Sequence, residues 1–124
     1  MAHFILEYST NLDDKFDPGD LLGELVEAAV ATGVFPRAGC RGRAHPCSEY
    51  YVGDGRAEFG FVHLQVRLGA GRTLDERQLA QDALLAVLQQ HLGDLLSSQG
   101  LAVSCELVEL PEIKANINNL RDYL

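Results

Sequence analysis

The chain has 124 residues, 47% hydrophobic and 23% charged, which suits one domain with a core of its own and leaves no apolar run near the ~18 residues a membrane helix needs. A formal charge of -8 argues against a nucleic-acid footprint, which normally needs a basic face. The first residues carry neither a basic start with a long apolar stretch nor a lipidation pattern, so the expectation is a soluble cytoplasmic protein with neither nucleic acid nor membrane as partner.

From Ala2 to Ser9 the chain alternates, Phe4, Leu6 and Tyr8 against His3, Ile5 and Glu7, which predicts a strand with at least one buried face. Asp17 followed by Pro18 predicts a helix start, and Leu21, Leu22, Leu25, Val26 and Ala29 continue it with helical spacing until Gly33. Ala38 to Tyr51 is a second strand, with Arg41, Arg43, His45 and Cys47 on one side and Cys40, Gly42 and Ala44 on the other; Pro46 marks it as an edge strand or a bulge. Cys40, His45 and Cys47 suggest a metal site only superficially, because Cys40 and Cys47 have opposite parity. Three cysteines, Cys40, Cys47 and Cys105, with no C-x-x-C among them read as reduced thiols.

Val52-Gly53-Asp54-Gly55 is a turn that joins the two halves antiparallel, and Phe59 to Leu68 alternates as a third strand. Thr73-Leu74-Asp75-Glu76 is a capping box. Behind it Leu79, Ala80, Ala83, Leu84, Val87, Leu88, His91, Leu92 and Leu95 form one apolar stripe, ended by Ser97-Ser98-Gln99-Gly100. Leu101 to Leu110 is a fourth strand, and an amide-rich tail with Asn116, Asn118 and Asn119 follows Pro111. The expectation is an α/β (α+β) domain over residues 1–124: pseudo-repeats 1–51 and 57–110, each a β-α-β unit, a tail at 111–124, and a four-stranded mixed sheet with two helices on one face. The bare face predicts an oligomer.

Charge is uneven along this order. Seven arginines against five acids between positions 37 and 77 make that stretch +2 within a chain of -8. Arginine's rigid fork suits carboxylate or phosphate, so a small anionic ligand is expected there. Arg72 precedes the capped start of a helix, whose free amides also favour an anion. His63, on the third strand, could orient a substrate, although a hydrogen-bonded structural role is the simpler reading. Gly69-Ala70-Gly71 lacks the third glycine and the acidic partner of a dinucleotide fold.

Several of these segments together, His3-Phe4-Ile5, Ala31 to Pro36, Gly39-Cys40-Arg41-Gly42-Arg43, Phe61-Val62-His63, Gly69-Ala70-Gly71-Arg72 and Lys114 to Asn119, resemble the tautomerase superfamily and, within it, the 5-carboxymethyl-2-hydroxymuconate isomerase family. The resemblance implies a homotrimer with no metal or organic cofactor, acting on a small unsaturated keto or enol carboxylate in aromatic catabolism. It also implies a base at the amine of the residue after Met1, with Arg41 and Arg72 binding carboxylates and drawing electron density. In that family the residue is proline; here it is Ala2. With Met1 removed, the base becomes a primary amine, a group that ordinarily titrates near 8. With Met1 retained, the amine is displaced by one residue and blocks the pocket. The alternative is a non-catalytic trimeric protein that keeps the anion pocket without the base.

Overall fold

A computed structural model describes residues 1–124, and in it the alternation of the first strand becomes the centre of the sheet. Strand β1, Ala2–Ser9, is flanked by β2, Cys40–Cys47, and by β3, Gly60–Leu68, with β4, Leu101–Glu109, outside β3; the order is β2-β1-β3-β4. β1 runs parallel to β2 and antiparallel to β3, and β3 runs parallel to β4. The antiparallel junction is thus β1 against β3. The two units are antiparallel, as the 52–55 turn predicted, although the strands on either side of that turn, β2 and β3, lie on opposite sides of β1.

Both crossovers are helical and lie on the face where Phe4, Leu6, Val62, Leu64, Val66 and Leu68 are fully buried. Helix α1, Pro18–Ala31, starts where the Asp17 carboxylate accepts the amides of Gly19 and Asp20, and it buries Leu21, Leu25 and Ala29. Helix α2, Leu74–His91, carries the expected box, Thr73 and Glu76 satisfying each other's backbone amides at 2.9 and 3.1 Å.

Three expectations need correction. The long second helix breaks at Leu92 and Gly93, and a short helix α3, Gly93–Ser98, follows; the break keeps Leu92 fully buried while the axis turns. Leu79 is 52% exposed, because the buried line of α2 runs through Ala80, Leu84 and Leu88 and a neighbour one residue back lies about 100° around the helix. The second strand is shorter than Ala38 to Tyr51, since Arg37–Gly39 form a 3-10 turn. Pro46 sits in β2 without a bulge, in register with Tyr8, as an outer strand permits.

The opposite face of the sheet has no helix over it. His3, Ile5, Phe61, Gln65 and Arg67 lie there half-buried. No helix of the chain is long and apolar enough to cross a membrane.

Candidate active site

Arg72 leaves a loop that needs Gly71 at φ 111°, a backbone conformation that side-chain-bearing residues rarely adopt. Its guanidinium is then held at two points, Nε donating to the Val34 carbonyl and Nη1 to the Gly69 carbonyl, each at 3.0 Å. It also lies 5.4 Å from the centre of the Phe35 ring. Phe35 in turn packs against Phe4, ring centres 5.8 Å apart, so Arg72 stands on the helix side of the sheet. The nearby Glu76 carboxylate is taken up by the Thr73 amide, and no ion pair of the chain includes Arg72.

Met1 is next to this arginine, because the Gly69 amide donates to the Met1 carbonyl at 3.3 Å. Ala2 is 2% exposed, wedged between Cys40 of β2 and Leu68 of β3. Arg41 is opposite His3 in the β1–β2 register and so projects from the bare face of the sheet. Arg41 and Arg72 therefore approach the start of β1 from opposite faces.

Two titrating neighbours report the local field. His3 lies below its ordinary pKa, first because it is partly buried and then because Arg41, Arg43, Arg67 and the amino terminus are close. Burial pushes the Cys40 thiol up, against the opposing pull of the amino terminus, Arg37, Arg72 and Arg41. Of these arginines Arg37 is neutralised by Glu27, whereas Arg41 and Arg72 have no carboxylate partner. In a chain with eight excess negative charges, unpaired guanidiniums at one strand end make an electropositive corner suited to an anion.

A cavity of about 450 Å³ opens at the same corner, lined by Met1, Pro36, Ala38, Gly39, Asn116, Asn118 and Arg121. Its far wall is the amide-rich tail, which no local pattern of the sequence places at this corner. Asn118 explains how the tail gets there: its side-chain amide donates to the Ala38 carbonyl at 2.7 Å, and its oxygen accepts the Leu120 amide at 2.9 Å. Asparagines without helical or strand periodicity are the available sign of such side-chain pinning.

Other candidates fall outside this corner. His63 hydrogen bonds to Ser104 at 2.6 Å and Glu106 at 3.2 Å on the bare face. His91 pairs with Glu24 at 2.6 Å. Cys40 and Cys47 lie at opposite ends and on opposite faces of β2, and burial pushes the Cys105 thiol up to about 12.

The doubled β-α-β frame recurs in other solved proteins. A fused 4-OT described as a wild-type symmetric trimer shares it at TM-score 0.61 and 18% identity, covering 93% of this chain and 90% of that one. The crystal structure of a 5-carboxymethyl-2-hydroxymuconate isomerase from Deinococcus radiodurans R1 superposes at TM-score 0.92 with 34% identity, over 98% of this chain and 92% of that one. In sequence, 5-carboxymethyl-2-hydroxymuconate Delta-isomerase from Escherichia coli is 36% identical over 121 residues, 97% of this chain and 96% of that protein. The model of the family "5-carboxymethyl-2-hydroxymuconate isomerase" matches residues 2–124. The chain belongs to that family of isomerases.

Proposed function

We propose that the chain moves a proton between carbons of an unsaturated, carboxylate-bearing enol of the 5-carboxymethyl-2-hydroxymuconate type, with the amine of Ala2, freed by removal of Met1, as the base. The observation that carries this reading is the electropositive corner around residues 1 and 2, where Arg72 is fixed by two backbone carbonyls and bears no counter-ion. Arg72 binds a carboxylate of the substrate and withdraws electron density as negative charge develops on the enolate. Arg41 adds positive charge from the bare face. The amine takes a proton from the enol and returns one to a carbon of the conjugated chain, which leaves the conjugated ketone and regenerates the base.

Ala2 supports a second reading, a protein that binds small carboxylates without turning them over. An amine at residue 2 has a pKa range suited to general base work near neutrality, which favours the catalytic reading. The absorbance change from enol to conjugated ketone decides: turnover by the wild-type chain supports catalysis, and turnover by Ala2→Pro alone assigns the wild type to binding. A homotrimer accords with the bare face of the sheet and with the symmetric trimer known for the same fold. Analytical ultracentrifugation should then give three times the 13.6 kDa chain mass.

A further inference from the structure

The tail wall of the cavity holds polar groups that the chain itself does not use. Asn118 is spent on pinning the tail, but no hydrogen bond or ion pair of the chain engages the Arg121 guanidinium, although it lines the cavity with Asn116. Arg121 sits in a 3-10 turn, Leu120–Asp122, closed by the Asp122 amide on Asn119 at 3.0 Å and the Tyr123 amide on Leu120 at 2.9 Å. Met1 separates this wall from Arg72, touching the cavity on one side and Gly69 on the other. Once Met1 is gone, a small ligand at the Ala2 amine has an unpaired arginine on either side.

We propose that Arg121, assisted by the Asn116 amide, binds a second carboxylate of the ligand and makes the site selective for di- over monocarboxylates. This rests on the reading of the Ala2 corner as the substrate site and adds the residue that measures the ligand's far end. A guanidinium offers a planar pair of donors that matches a carboxylate, and an amide side chain adds another N–H.

The test is calorimetric, on the chain without Met1, with two probes of the same trans,trans six-carbon diene: trans,trans-muconate, carrying two carboxylates, and sorbate, carrying one. Muconate should bind about tenfold tighter or more, the scale of one charge-assisted contact. Arg121→Gln should bring muconate down to the sorbate affinity and leave sorbate unchanged, and Arg121→Lys should recover part of the difference. An unchanged muconate-to-sorbate ratio in Arg121→Gln, or an equal loss for both probes, overturns the proposal. Arg72→Ala separates it from the site reading on which it rests. Arg72→Ala should weaken both probes alike; binding indifferent to Arg72→Ala yet sensitive to Arg121→Gln would overturn the site reading and leave Arg121 as an anion site in its own right. Binding of neither probe overturns both.

Discussion

The two halves repeat one topology, yet the chain enters β1 and β3 through surroundings of opposite character. At the start of β1, Arg41 and Arg72 stand without carboxylate partners beside a cavity. At the start of β3 the corresponding space is closed. Arg56 is paired with Asp54 at 2.6 Å and lies 4.8 Å from the centre of the Phe59 ring, and the Asn11 side-chain amide donates to the carbonyls of Ala57 and Phe59 at 3.1 and 2.8 Å. A repeated frame therefore does not repeat a site. What differs is whether the arginine at the strand entrance has an acid two residues away.

The largest expected effect tests that contrast directly. Arg72→Ala should weaken carboxylate binding or kcat/KM by about 100-fold, as removal of a preorganised charged donor usually does, whereas Arg56→Ala should leave both unchanged. Equal losses from the two would erase the distinction between open and sealed entrances. Gly60→Ala probes the seal from the inside. A Cβ there would come within 2.9 Å of the Ser9 hydroxyl and 3.1 Å of Leu12, so chemical denaturation should show a loss of about 1–3 kcal/mol from overpacking. Gly39→Ala, at the open entrance, would meet nothing nearer than 3.4 Å and should cost distinctly less.

The field at the open entrance has a pH signature. His3 has its pKa depressed in the fold, so the folded chain binds that proton less readily than the unfolded one. Its contribution to stability is complete above the ordinary value of 6.5 and is lost as pH falls below it. His3→Gln should flatten the stability curve just below that pH, and Arg41→Gln should move the His3 titration, followed by NMR, upward. Smallest is the Arg56–Asp54 pair itself: Arg56→Ala should leave the denaturation midpoint close to that of the wild type, because an exposed pair gains little over its hydrated parts.

Local signals in the sequence carried the frame well. Strand parity placed Phe4, Leu6 and Tyr8 on the buried face, and the Asp17 and Thr73 caps located both main helices, because caps and periodicity act over a few residues. The break at Leu92 and Gly93 was hidden because the apolar stripe runs through it; only the packing of Leu92 against the core fixes where the axis turns. Placement of β1 and β3 side by side follows from which edges meet, and the turn between β2 and β3 does not encode that. At the candidate site, Arg72 is proposed by its place between a glycine turn and a helix cap. The family resemblance added Arg41 and drew attention to Ala2. The tail wall was not legible: Asn118 reaches Ala38 across eighty residues of sequence, a contact without any local pattern.

Whether the chemistry resides in the amine of residue 2 at the open entrance is decided by preparing the chain with and without Met1, verified by intact mass, and following enol-to-ketone conversion of a 2-hydroxymuconate-type substrate. The form that begins at Ala2 should convert the substrate, with a loss of about 100-fold or more when Met1 displaces and covers the amine, the scale expected for removing a positioned general base. Equal rates from the two forms would contradict that role for the amine.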